Sequence, residues 1–288
     1  MLPELGWMPR LAAGLLAVGL VVLFVVRAMR KDRREYARFR RYRSTARRQA
    51  MMRRWLIEST VLFGGSAVVV LVLVSPLVGP LLAATQALAP IAWLRDALVG
   101  GLGIGLLIGG AVGVALLTVL GVRGARREGG IIMVGDIAAL LPRNRPELGW
   151  GAALSVNAGV VEEALFRLAL PALLVVVTGE PVSAFLLAAL VFGALHAYQG
   201  WVGVLATGVV GLLFTALYVV SGSIGLAMLV HALFDLRTLV VIPAAVYRVH
   251  TVPGSVRFPT PLTVPAPAPA PAPAPVPSDQ AEGTASDT

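Results

Sequence analysis

The chain has 288 residues, 57% of them hydrophobic and 14% charged, with a mean hydropathy of +0.83, which excludes an ordinary soluble domain at ~45–50% apolar. No cysteine is present, so disulfides, thiolate nucleophiles and Cys-zinc sites are excluded. The net charge of +9 is concentrated, with thirteen of the 24 basic residues between Arg27 and Arg54, a pattern that fits a cytoplasmic loop rather than nucleic-acid binding.

Several apolar runs are long enough for a bilayer core of ~30 Å, and the alternation of barrel strands is absent. The expected fold class is all-α, a polytopic transmembrane helical bundle of about seven spans. The first span is expected at Leu11–Ala28. Its length and the basic cluster that follows it argue for a retained span rather than a cleaved signal peptide. The basic segment after it is expected as a helix along the headgroups. Tyr36, Phe39, Tyr42 and Trp55 would be its interfacial anchors, and anionic lipid its partner. Span two is placed at Thr60–Ala83, followed by a short loop containing Pro90, Trp93, Arg95 and Asp96.

Span three is expected from Ala97 to Val122. Gly101, Gly105, Gly109 and Gly113 recur every fourth residue there, a small-residue face suited to helix packing. The run IIMVGDIAALL is too short to span and reads as an interfacial or re-entrant piece. Spans four to seven are placed at Trp150–Val177, Ser183–Tyr198, Val202–Val220 and Ile224–Val246, with turns at Gly179-Glu180-Pro181 and Ser221-Gly222-Ser223. After Pro253, alternating Ala-Pro is expected as an extended arm with a disordered polar end. Three regions follow: 1–122 with three spans and the basic segment, 123–250 as a catalytic membrane domain, and 251–288 as the tail. The arginine-rich loops 29–59 and 123–149 are expected on the cytoplasmic side, as is the C-terminus, in a plasma membrane of bacterial type.

Six polar residues stand in these apolar runs: Glu162, Glu163, Arg167, His196, His231 and Asp235. Burying one ionised side chain in hydrocarbon costs at least ~2.5–3.5 kcal/mol, so three within Glu162–Arg167 imply a use. Measured from the two turns at 1.5 Å per residue, Glu162 lies about 22 Å deep, His196 about 20 Å, His231 about 12 Å and Asp235 about 18 Å. They fall into one layer on successive helices. Glu163 and Arg167 are i,i+4 and share a face, while Glu162 points about 100° away. Glu163 is therefore expected to pair with Arg167, and Glu162 to face a cavity. His231 and Asp235 are also i,i+4. Glu180 in its turn is expected to be solvated.

A carboxylate and a histidine converging on a water make a general-base pair, here Glu162 and His196. The activated water would attack an amide carbonyl, and His231 would donate to the oxyanion. No serine, threonine or lysine nucleophile with an adjacent base is apparent. The motifs Glu162-Glu163-x-x-x-Arg167, Phe192-x-x-x-His196 and His231-x-x-x-Asp235 resemble the CPBP intramembrane proteases, which include CAAX prenyl endopeptidases and Abi proteins. The resemblance spans residues 130–245. It implies an endopeptidase in which Glu162 and His196 activate water while His231 and residue 235 stabilise the oxyanion. The substrate would be a membrane-associated protein or peptide.

The family's CAAX enzymes carry Asn where this chain has Asp235, and an ionised Asp cannot donate to an oxyanion. It would have to be protonated, pair with Arg237, or orient His231; the orienting role is favoured. No cofactor is expected. The alternative is Zn²⁺ on Glu162, His196 and His231, although the HExxH signature is missing. Two other functions compete: a non-catalytic binding or immunity-type protein of the same fold, and a proton-coupled transporter, against which no inverted repeat is found.

Overall fold

The computed structural model describes residues 6–98, 103–128 and 134–253. Gly101 and the Ala-Pro arm therefore lie outside the described residues. The described part is an all-α bundle, and five of its helices are long and apolar enough to cross a membrane.

The first of these runs over Trp7–Phe39. It comprises α1 (Trp7–Arg27), a π turn and α2 (Arg33–Phe39). After a turn at 40–44, α3 (Thr45–Ser59) continues through a second π turn into α4 (Gly65–Gln86). The helix passes through Pro76 and Pro80. The expected loop near Pro90 is itself a helix, α5 (Ala89–Ala97), with proline in its first turn, where a missing N–H costs nothing. Then come α6 (Gly103–Glu128), α7 (Arg145–Glu163) and α8 (Leu170–Thr178). The last group is α9 (Pro181–Leu195), α10 (Gly200–Ser221), α11 (Ile224–Leu236) and α12 (Ile242–Val246).

The turns form where the sequence predicts them. Gly179 (φ 68°) and Gly222 (φ 72°) end α8 and α10 in the left-handed region that glycine tolerates. Glu180 is not merely solvated. Its carboxylate accepts from the N–H groups of Val182 (2.9 Å) and Ser183 (2.6 Å) and caps α9. The Ser183 hydroxyl and these amides hold its carboxyl below the usual range.

The centre of the bundle is α8. Seven successive residues, Leu170–Val176, are buried, as expected for a helix apolar on all sides. Phe24, Leu81, Phe166, Phe185, Phe192 and Tyr218 close around it. Lipid-facing surface lies outside this core, with Val72 on α4 75% exposed and Leu213 on α10 62% exposed.

Two packing expectations fail. Gly105, Gly109 and Gly113 on α6 face open space within the chain. The close seam lies instead between α7 and α11, where Gly151, Ser155 and Gly159 are buried at the same four-residue spacing. A Cβ at Gly159 would lie 2.8 Å from Ala232 Cβ and 2.8 Å from Met228 O. Gly159→Leu is therefore expected to separate the two helices and cost about 1–3 kcal/mol or more, read as a lower melting temperature in detergent. Gly109→Leu is expected to leave the melting temperature unchanged.

The basic segment does not present Tyr36 and Phe39 as interfacial anchors. It folds as an α2–α3 hairpin against residues 136–147. Tyr36 and Phe39 are buried, and Phe39 packs on Trp55 at 4.7 Å between ring centroids. Arg48 is fully buried. It pairs with Glu147 (3.0 Å), donates to the carbonyls of Ala139 and Leu141 (both 3.1 Å), and stacks over Phe39. The described end of IIMVGDIAALL, from Val134, is a bend and a short 3-10 turn latched to this hairpin, with Tyr36 donating to Asp136 O at 2.5 Å.

Candidate active site in the membrane bundle

The two glutamates close α7, and the helix then loosens into a π turn at Ala164–Ala169 that carries Arg167. Such turns recur at functional sites because the extra residue re-aims the side chains that follow. Glu163 and Arg167 have fully buried side chains, with Oε2 and Nε 3.1 Å apart. The pairing predicted from i,i+4 spacing is present, as a charge contact rather than an aligned hydrogen bond. Arg167 also donates from Nη2 to the carbonyl of Gly211 (3.1 Å). Its guanidinium lies 4.7 Å from the Phe192 ring and 5.6 Å from Phe214. These aromatic faces supply attraction that the single carboxylate does not.

Glu163 has a second partner that sequence reasoning missed. Its Oε1 accepts from His231 Nδ1 at 2.7 Å. One buried carboxylate thus joins α7 to α11 and holds the imidazole. Phe214 stacks on the other side of that ring, with centroids 4.7 Å apart. The close approach at Gly159, one turn before Glu163, makes this reach possible. The sequence signal was the small-residue spacing on α7.

The expected orienting role of Asp235 is corrected by this contact. Asp235 Oδ2 lies 3.8 Å from His231 Nε2, beyond hydrogen-bond range, while Glu163 sets the ring. Asp235 does not pair with Arg237 either, because Arg237 Nε donates to Thr118 Oγ1 at 2.7 Å. Glu162 Oε2 lies 4.0 Å from His231 Nε2, on the same side as Asp235.

His196 ends α9, and its Nδ1 contacts the carbonyl of Phe192 at 2.9 Å. A carbonyl only accepts, so Nδ1 carries the proton and Nε2 of the neutral ring is an acceptor. Among the described residues no hydrogen bond or ion pair joins His196 to Glu162; what they share is a cavity.

That cavity measures about 520 Å³. Glu162, His196, His231 and Asp235 all line it, and Glu163 and Arg167 stand behind it. The opposite wall comes from the first region of the chain, with Tyr36, Trp55 and Phe63, none of which the motifs indicated. Ile137, Leu140 and Leu141 cover another side. The lining is largely apolar with a few polar groups among it, as in many ligand sites.

Among the described residues, no three His, Cys, Asp or Glu side chains are grouped so as to hold a metal ion. The Nδ1 atoms of both histidines are already engaged, by Phe192 O and by Glu163. These contacts leave Nε2 of each ring, and a bond of this kind at Nδ1 is also what orients metal-binding histidines.

Residues 144–237 match the family model described as type II CAAX prenyl endopeptidase Rce1-like. This segment is similar to that family. The match covers less than half of the chain and includes all three motifs. It supports a CPBP/CAAX protease assignment and, with it, an intramembrane protease kind of function. Together with the five apolar helices, it supports an integral membrane protein acting on membrane-associated peptide substrates. No curated protein and no solved structure matches the chain. The N-terminal wall of the cavity lies outside the Rce1-like segment.

Proposed function

We propose that the protein is a glutamate-type intramembrane endopeptidase with Glu162 and His196 as the groups that activate water. The observation that carries this reading is the division of the two acids. Glu163 is occupied by Arg167 and His231, whereas Glu162 opens on the cavity that His196 also lines. A water between Glu162 and His196 Nε2 would lose a proton to this pair as its oxygen bonds to the carbonyl carbon. The same proton then passes to the leaving amine as the C–N bond breaks. His231, held by Glu163 and Phe214, would donate from Nε2 to the oxyanion. With Nδ1 donating to Glu163, this donation requires the doubly protonated ring. Asp235, near Nε2, would favour that ring electrostatically rather than position it.

Asp235→Asn then removes a charge but no anchor. Cleavage is expected to stay within about tenfold of wild type, ~1.4 kcal/mol in barrier, measured as kcat/KM on a purified substrate. A loss beyond a hundredfold would return Asp235 to a direct role.

The arginine-rich segments 29–59 and 123–149 would face the cytoplasm with the C-terminus, by the charge bias of short loops. The reading is tested by comparing membrane-protein termini in cells expressing wild-type or His196→Ala protein. New termini that appear only with wild type identify substrates, and identical terminal profiles overturn the proposal. Purified protein is expected to cleave those substrates in the presence of chelator; loss restored by Zn²⁺ would favour the zinc alternative.

A further inference from the structure

A second hollow, of about 450 Å³, shares no lining residue with the membrane cavity. Arg40 and Arg41, from the turn after α2, form one wall. Arg143 and Asp136, from the segment before α7, form the other, over a floor of Ala138 and Ala139. Asp136 takes one of the three positive charges, pairing with Arg40 at 2.5 Å. Arg143 is 4% exposed. Its Nη1 donates to Tyr42 O at 3.1 Å, and its Nε is buried without a partner. The nearest acid behind it, Glu147, accepts from Arg48 and from the Arg143 backbone N–H rather than from the Arg143 side chain.

A buried guanidinium N–H without an acceptor is costly, more so than a neutral donor. Arg41 beside it has no acid partner in the hollow, and the small alanines leave the floor open, which fits an oxyanion with several acceptor oxygens. Arginine's planar fork suits phosphate in particular. The hollow sits at the tip of the charged hairpin, at the turn between α2 and α3. We propose that this hollow binds a phosphate group, held by Arg41 and Arg143, supplied by an anionic lipid headgroup or by free phosphate. The proposal is independent of the proteolytic reading.

The test titrates purified full-length protein in detergent with short-chain phosphatidylglycerol, with inorganic phosphate and with short-chain phosphatidylcholine, followed by thermophoresis. Saturable binding of at least one of the first two is expected, weakened about tenfold by Arg41→Gln and by Arg143→Gln. Arg34→Gln is the control. It removes an exposed charge from the same basic stretch outside the hollow, and a change of no more than roughly twofold is expected after screening at physiological salt. Binding of phosphatidylglycerol alone assigns the lipid headgroup, and equal binding of inorganic phosphate assigns a soluble anion. Arg41 is exposed, so Arg41→Gln keeps the test decisive if Arg143→Gln fails to fold. The proposal is overturned if neither anion saturates, if phosphatidylcholine binds equally, or if Arg34→Gln weakens binding as much as Arg41→Gln. The last result would mean diffuse attraction of the whole basic stretch.

Discussion

Glu162→Gln is expected to lower kcat by about 10²–10⁴-fold with little change in KM, the range for loss of a general base. Gln keeps the size of the side chain but cannot take a proton from water. The substitution is mild for the fold, because among the described residues Glu162 holds no hydrogen bond and its one contact in ion-pair range is His231 Nε2 at 4.0 Å. The protein should therefore insert and melt like wild type. This separation matters, since a binding protein of the same fold would keep its phenotype in the variant. Cleavage within about threefold of wild type by well-folded Glu162→Gln would remove Glu162 from the chemistry.

Glu163→Ala is expected to act through stability first. It leaves Arg167 buried with no carboxylate and takes away the acceptor that sets His231. Breaking one side of a buried pair costs about 3–5 kcal/mol, read as a marked fall in melting temperature that Glu162→Ala does not share. The double change Glu163→Leu with Arg167→Met removes both charges. It is expected to recover much of the stability, since an apolar pair of similar volume needs no compensation. Activity should not return, because His231 has lost its anchor. A Glu163→Ala protein as stable as wild type would refute the bridging role.

The sequence indicates which residues share a helix face, and the tertiary structure shows what that face meets. The i,i+4 spacing already joined Glu163 to Arg167, and the turn residues at Gly179 and Gly222 already placed two helix ends. The same rules could not show that Glu163 also reaches His231, 68 positions away. That contact depends on how closely α7 and α11 approach, which Gly159 and Ala232 decide together. The small-residue rule was applied to α6 and was needed on α7, because a stripe of glycines does not say whether another helix lies against it. Tyr36 and Phe39 likewise have the chemistry of interfacial anchors, yet the α2–α3 hairpin folds them inward onto a segment nearly 100 residues later.

From composition and patterning alone, this is a helical membrane protein with buried carboxylates and histidines on successive helices. Apolar run length and the cost of burying charge are properties of local sequence, so no partner was needed to see them. Helical phase also divided the two acids, whereas what holds His231, and that the N-terminal helices wall the cavity, came only from packing. Those features depend on side chains that meet across helices, at distances that no spacing along one chain determines.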